Sequence, residues 1–358
     1  MGIQTEERQP WPMNGLEQSF RERVHADDFL KSLAPKKFEK VVRQITDDAV
    51  KVITADLLSR APDMLVRHRK EHDGFSSRNF KRWRGAFDLL ETIWVACEEM
   101  GANFNRHFRP EAIQTQNFTF EAMTAVHAKS MLVTAEMICL MKGGFADAAL
   151  TRWRTLHELS VVAALLSVHG QKLAHRYLAH SHVQEAMDIE PEELERDEEA
   201  KGRKAKSDFC LAQFGDDLKK HYGWACELTD KKRPTFEDLE KLADKSIGRI
   251  IYKRASQHIH SNHRGYDQLL GVGESEETLL LVGQSDAGMA GPLILGAMTL
   301  VEVTSVYLMM IPNLDRTIYT RVLLSLSRRL HAKARALEKN AAMRIQKRRD
   351  REQRSAAL

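Results

Sequence analysis

Apolar residues recur at intervals of three and four along most of the chain, which is the spacing of α-helices that bury one face. The region 36–61 shows this pattern, and Pro62 is expected to break or kink the helix there. The run HDGFSS at 72–77 predicts a loop, and Gly143-Gly144 and Gly170 are expected to end later helices. The predicted helices cover residues 16–33, 36–61, 78–100, 117–142, 145–169, 172–187, 247–260 and 289–311, and a last long helix follows Pro312-Asn313.

Three of these helices, 118–142, 145–169 and 289–311, are the most apolar and are expected to form the core in mutual contact. The segment 289–311 is long enough to cross a bilayer, and Glu302 is its only charged residue. A charge at mid-span costs roughly 2.5–3.5 kcal/mol in a membrane, so we favour a buried helix in which Glu302 meets a partner or lines a site. Residues expected in the core include Leu132, Met137, Leu156, Val162, Leu293 and Leu300.

The sequence contains few glycines and prolines, 19 and 9 in 358 residues. This favours an all-α fold, a multi-helix bundle with a basic C-terminal helix. Residues 266–272 and 278–282 are expected to form a minor β-hairpin, and the charge-rich stretch 190–206 a solvated excursion. The predicted domains are an N-terminal helical region, a central helical core domain and a basic C-terminal helical arm, over residues 1–109, 110–315 and 316–358.

The net charge of +4 is unevenly distributed. Residues 316–358 hold 13 Lys and Arg against 3 Asp and Glu, so the arm is strongly basic and the rest is mildly acidic. The four cysteines form no C-x-x-C pair and are expected to be buried thiols in a reducing compartment. The opening MGIQTEERQPW lacks the apolar core of a secretory signal, so we expect a cytoplasmic protein.

Common nucleotide, zinc-protease and hydrolase motifs are missing from the sequence, as are alternating strand and helix patterns. One candidate for chemistry is a polar stripe on the helix that follows Gly143-Gly144. Asp147, Thr151, Arg154 and Glu158 share one helix face there, and Arg154 and Glu158 are spaced to pair. The stripe either joins helices or forms the wall of a binding site, with Arg154 and Glu158 as binding residues. We expect the Arg154–Glu158 pair to be buried and hydrogen-bonded across to the helix at 249–263.

A second candidate is the stretch YKRASQHIHSNH, in which Tyr252, Ser256 and His260 share a broad helix face. Its three histidines resemble metal ligands, but the cluster contains no cysteine or carboxylate, so we predict no metal and no cofactor. Arg254 lies about 240° around the helix from His260, and the two converge only if the helix ends near His258.

The stretches GGFADAALTRWRTLHELSVVAALL, AHRYLAH and YKRASQHIHSNHRG resemble a family of bacterial helical proteins of unknown function. The first carries that family's core pattern, G-[FY]-x-[DE]-x(4)-R-x-R-x-[LI]-x-E. The helical plan and the spacing of arginine and histidine are also similar to the higher eukaryotes and prokaryotes nucleotide-binding (HEPN) superfamily. Many HEPN proteins are metal-independent ribonucleases that act as dimeric toxins or phage-defence effectors.

This resemblance implies an endoribonuclease in which His260 is the acid or base, Arg254 holds the phosphate and Ser256 orients the substrate. Tyr252 would join Arg154 and Glu158 in binding. The alternative is a non-catalytic helical module that binds a protein or a nucleic acid, and a homodimer is compatible with either.

The basic arm is a third candidate, because Arg344, Lys347, Arg348 and Arg349 are suited to phosphates of RNA, DNA or an anionic lipid surface. No aromatic residue follows Tyr319, so binding to nucleic acid would be independent of base sequence. The alternative for this segment is a solvated helical tail.

Overall fold

A computed structural model describes residues 15–257, 269–272 and 281–356 of the chain. Over these residues the protein consists of helices and connecting turns, with no strand, which confirms the all-α prediction. The helices are α1 (Gly15–Ala26), α2 (Asp28–Ser32), α3 (Pro35–Gln114), α4 (Phe118–Lys142), α5 (Ala146–Met187), α6 (Pro191–Arg196), α7 (Glu198–Phe214), α8 (Phe236–Leu242), α9 (Arg249–Gln257), α10 (Ala290–Leu308) and α11 (Leu314–Ala356). Short 3-10 turns cover Asp216–Lys219, Gly223–Leu228, Ser246–Gly248 and Leu270–Val272.

The predicted hairpin finds no support in this structure. Leu270–Val272 forms a 3-10 turn, and residues 269, 281 and 282 are not in a strand. The remaining residues of the two predicted strands lie outside the described part of the chain.

The predicted break at Pro62 and the loop at 72–77 are wrong, because α3 runs unbroken from Pro35 to Gln114. A proline removes one backbone hydrogen bond and crowds one turn, so its cost is local and a long helix can continue past it. The α5 helix, by contrast, is interrupted as expected, since Gly170 takes a left-handed φ of 62°.

The chain divides into two compact units, one up to Asp73 and one from Gly74 onward. The first contains α1, α2 and the beginning of α3, where Phe20 packs on Phe38 with ring centroids 6.4 Å apart. Asp27 caps α2 by accepting hydrogen bonds from the backbone N–H groups of Phe29 and Leu30. The predicted boundaries at 109/110 and 315/316 stay predictions.

The core of the second unit is built on α4, α5 and α10, which pack against one another as the apolar pattern predicts. Of the six residues expected in this core, Met137, Leu156, Leu293 and Leu300 are fully buried and Val162 is half-buried. Leu132 is the exception, with 51% of its surface exposed. The late part of α4 is apolar on every side, so its sequence does not reveal which face turns inward.

The α10 helix is long and apolar enough to span a membrane, and it is the helix that the sequence marks as ambiguous. In the structure most of its side chains are buried against α4, α5 and α11. Its packing therefore favours the core helix over the membrane span. Cys97, Cys210 and Cys226 are buried as expected, whereas Cys139 is exposed.

His127 is a polar group inside this core, where its Nε2 shares a 3.1 Å hydrogen bond with the Thr304 hydroxyl. Its ring stacks on Tyr307 and lies directly over Gly101 of α3. A Cβ atom at Gly101 would overlap this ring, so the close approach of α3 to α4 requires glycine. Burial lowers the pKa of His127 to about 4 and keeps the imidazole neutral.

We predict that Gly101→Ala destabilises the protein by about 1–3 kcal/mol, because the His127 ring is held on its other sides and cannot move away. Gly202→Ala is the matched control, since an added Cβ there meets nothing within 4 Å on an exposed helix. That change should be neutral or stabilising by up to about 1 kcal/mol. Urea unfolding of both variants measures the difference, and equal stabilities would contradict the packing described.

We also predict that stability falls as the pH drops below 6.5, the ordinary pKa of histidine. The unfolded chain takes up the proton there, whereas folded His127 resists it until about pH 4, so the unfolded state gains up to about 3 kcal/mol. His127→Gln should remove this part of the pH dependence, leaving that of the other histidines. Urea unfolding between pH 7 and 4 is the measurement, and an unchanged slope in the variant would count against it.

Candidate functional site

The polar stripe of α5 begins at Asp147, directly after the turn at Gly143 and Gly144. The Asp147 carboxylate accepts hydrogen bonds from the backbone N–H groups of Leu270, at 2.8 Å, and Gly271, at 3.3 Å. Asp147 thus fastens the 3-10 turn at Leu270–Val272 to the beginning of α5.

The three residues predicted for binding meet further along α5. Arg154 and Glu158 lie two and three turns after Asp147 on this helix, and Tyr252 of α9 contacts both of them. The Tyr252 hydroxyl donates a 2.6 Å hydrogen bond to Oε1 of Glu158, and Arg154 Nε lies 3.2 Å from the same oxygen. The guanidinium carbon of Arg154 lies 4.8 Å from the centre of the Tyr252 ring. Burial, and then the Glu158 carboxylate, raise the pKa of Tyr252, so the phenol stays protonated and donates.

The predicted burial of the Arg154–Glu158 pair is wrong, because the pair lies at the surface of the unit. Their side chains retain 28% and 34% exposure. Part of the guanidinium and of the carboxylate can therefore meet solvent or a ligand, while Tyr252 beneath them is buried. The contact does run to α9, as the shared polar faces of the two segments predict.

A buried ionic cluster that the sequence reasoning missed lies next to this triad. The Glu240 side chain is only 1% exposed, and its two oxygens lie 2.8 Å from Nε2 of His157 and 2.8 Å from Nη1 of Arg249. Arg249 also reaches Glu237 at 3.1 Å, and its guanidinium carbon lies 5.5 Å from the Tyr252 ring centre. The cluster fixes α8 and α9 onto α5 and so sets the position of Tyr252.

Burial lowers the pKa of His157, while the hydrogen bond to Glu240 acts in the opposite direction. Gly248 packs against the His157 ring, where a Cβ atom would come within 2.6 Å of it. No local pattern could have revealed the pairing of His157 with Glu240, because 83 residues separate them. The capping box of Thr235 and Asp238 marks only where α8 begins.

Glu302, the single charge in α10, finds its partner in Lys245. Lys245 lies in the loop between α8 and α9, and its side chain is largely buried. Glu302 therefore has a partner, as predicted, but 48% of its side chain is exposed, so the pair lies at the edge of the core rather than inside it. It adds a second ionic attachment between the α8–α9 segment and the core helices.

The residues predicted for catalysis are less fully described than those predicted for binding. Arg254 is exposed on α9, on the side away from buried Tyr252 and Ala255. Ser256 is half-buried, and its hydroxyl donates a 2.8 Å hydrogen bond to the Tyr252 carbonyl. His260 and the neighbouring histidines lie outside the described residues. Within the described parts of the chain, no group of His, Cys, Asp and Glu could hold a metal ion.

The basic residues predicted for nucleic-acid binding all lie in the C-terminal part of α11. Arg344 and Lys347 are exposed there, and Arg348 and Arg349 follow in the same helix. A groove of about 740 Å³ lies elsewhere, where Phe120, Gln171 and Met310 meet. It contains none of the predicted site residues.

Replacing Glu240 should cost far more stability than replacing Glu158. Glu240→Ala leaves Arg249 and His157 without their buried partner, which we expect to cost about 3–5 kcal/mol. Glu158→Ala should cost about 1 kcal/mol, because solvent reaches both members of the pair with Arg154. Urea unfolding measures both variants. Equal losses would mean that the two carboxylates are equally buried.

The stretch that carries both clusters is also where the chain is similar to known sequences. No curated protein and no solved structure matches the chain. Residues 120–278, which run from α4 through α9, match the model of a family of unknown function, DUF5677. This match fits the resemblance to a family of unknown function that the sequence predicted.

Proposed function

We propose that this protein is a HEPN-like, metal-independent ribonuclease that acts as a toxin or a phage-defence effector. In this proposal Arg254, Ser256 and His260 carry out the reaction. The observation that supports it most is the docking of Tyr252 on Glu158 under Arg154, because this contact fixes α9 on a polar and partly exposed face.

The geometry of that face gives further support. Glu158 holds Tyr252, and eleven residues earlier on α5 Asp147 holds Leu270 and Gly271. The two anchors are about 16 Å apart along the helix. In the sequence His260 lies between the two anchored segments, 252 and 270–271. Both flanks of the proposed catalytic stretch are thus attached to the face that carries Arg154.

The proposed reaction uses the 2′-hydroxyl of the RNA as nucleophile. The 2′-oxygen bonds to phosphorus and the bond to the 5′-oxygen breaks. His260 either takes the proton of the 2′-hydroxyl, with water protonating the departing 5′-oxygen, or protonates that oxygen, with water taking the hydroxyl proton. The products are a 2′,3′-cyclic phosphate and a 5′-hydroxyl end. Arg254 stabilises the negative charge on the phosphorus centre, and Ser256 orients it. A cytoplasmic location, expected from the sequence, would give access to RNA.

We predict that the purified protein cleaves RNA in the presence of EDTA and that its expression slows bacterial growth. His260→Ala should lower the cleavage rate at least about 100-fold, the usual contribution of a general acid or base. Arg254→Ala should also lower it. Lys253→Ala is the matched control, because it removes a neighbouring exposed cation of α9 and should leave the rate unchanged. Gel analysis of the RNA and thermal unfolding of each variant are the measurements.

The outcome that overturns the proposal is an absence of cleavage with every RNA tried, or a His260→Ala variant as active as the parent. The alternative is a non-catalytic helical module that binds nucleic acid or protein, and the exposed basic side of α11 favours it. If this alternative is correct, the protein binds RNA without cleaving it, and His260→Ala leaves the binding unchanged.

A further inference from the structure

The α11 helix has a buried side and an exposed basic side over its first seven or eight turns. Its buried line packs against the core of the second unit and consists of Leu323, Ser327, Leu330, Ala334 and Ala341. At about 100° per residue, Arg321, Arg328, Arg335 and Lys339 fall within about 40° of one another, on the side of the helix that faces away from this buried line. All four are exposed, and they span about 27 Å of helix.

The charge along this line is strongly one-sided. Residues 321–339 hold six Lys and Arg against a single carboxylate, that of Glu338, which pairs with Arg335 at 3.1 Å. Because α11 is continuous and packs on α10, the cations are held in fixed relative positions before any ligand arrives. A preformed row of cations loses less conformational freedom on binding than a flexible tail would.

The same side of the helix offers no platform for base stacking. Tyr319 is the only aromatic residue of α11, and it lies about 160° around the helix from Arg321. Proteins that hold single strands generally stack bases on aromatic side chains, whereas duplex RNA is bound through its shape, its phosphates and its 2′-hydroxyl groups. The outward line has the groups for the second mode of binding.

We infer that the line formed by Arg321, Arg328, Arg335 and Lys339 binds the sugar-phosphate backbone of a double-stranded segment of RNA, independently of base sequence. This inference rests on the proposed function for the identity of the polyanion and deepens it by naming the class of substrate. It also shifts the interface from the end of the arm towards the core. Arg344 and Lys347 lie about 140° and 80° away from Arg321 around the helix.

The test measures binding to the full-length His260→Ala protein, so that cleavage cannot obscure it. The probes are a fluorescent RNA hairpin with a stem of about 16 base pairs and an unpaired RNA of equal length. Titrations at several salt concentrations give the affinity and its salt dependence. We expect tighter binding of the hairpin.

Arg321→Gln, Arg328→Gln and Arg335→Gln, combined in one protein, should weaken hairpin binding at least about tenfold. The slope of log affinity against log salt should fall by about one for each phosphate that the protein no longer binds. The matched control combines Arg196→Gln, Lys206→Gln and Lys219→Gln, which removes the same charge from exposed positions outside α11. Its affinity should stay close to that of the parent. Circular dichroism and thermal unfolding check that both proteins keep their helices.

Equal affinity for the unpaired RNA, or an equal decrease in the control protein, overturns the inference, because general charge attraction would then explain the binding. Binding to vesicles that contain phosphatidylserine in place of RNA would overturn it as well. These results are distinct from failure of the proposed function. A protein that binds the hairpin through this line but never cleaves RNA would refute only the nuclease.

Discussion

The buried carboxylate of Glu240 is the group on which the arrangement of the candidate site depends. An isolated charge in such a position would be prohibitively costly, so it requires partners that neutralise it and satisfy its oxygens. Arg249 supplies the opposite charge and a hydrogen bond, and His157 supplies a second hydrogen bond; they come from α9 and α5, which flank the α8 helix of Glu240 in the chain. Satisfying this one group therefore holds three helices in a single arrangement.

The position of Tyr252 follows from that arrangement. Arg249 reaches Glu240 from the first turn of α9, and Tyr252 lies one turn later, where the guanidinium groups of Arg249 and Arg154 both lie against its ring. Its hydroxyl can then reach Glu158 on α5. The buried cluster is thus structural, and the partly exposed Arg154 and Glu158 are the part that a ligand can reach. His157 and Glu158 are neighbours in the chain but belong to different groups. His157 contacts Glu240 in the buried cluster, whereas Glu158 pairs with the partly exposed Arg154.

The polar groups in the core of the second unit are also paired with partners on other elements. Trp153 donates its indole N–H to Thr299 of α10, and His127 uses Thr304 of the same helix. Lys245 meets Glu302 at the margin. A helix that is apolar enough to enter a membrane therefore carries polar side chains at three positions that are each matched to a partner on another element. Such matching is what a buried helix in water requires.

Periodicity along the sequence determined much of this protein. It predicted the all-α fold, the contact among α4, α5 and α10, the polar stripe of α5 and the basic helix at the end, because each depends on residues a few positions apart.

Only the tertiary structure decided the rest. The pairing of His157 with Glu240 joins residues far apart in the chain, and the exposure of Arg154 and Glu158 depends on what packs around α5. The inward line of α11 continues through Ala334 and Ala341, small side chains whose weak apolar character does not by itself mark them as buried. Local spacing encodes which side of a helix is apolar, whereas the partner that covers it, and the charges that must be neutralised there, are set by packing between distant segments.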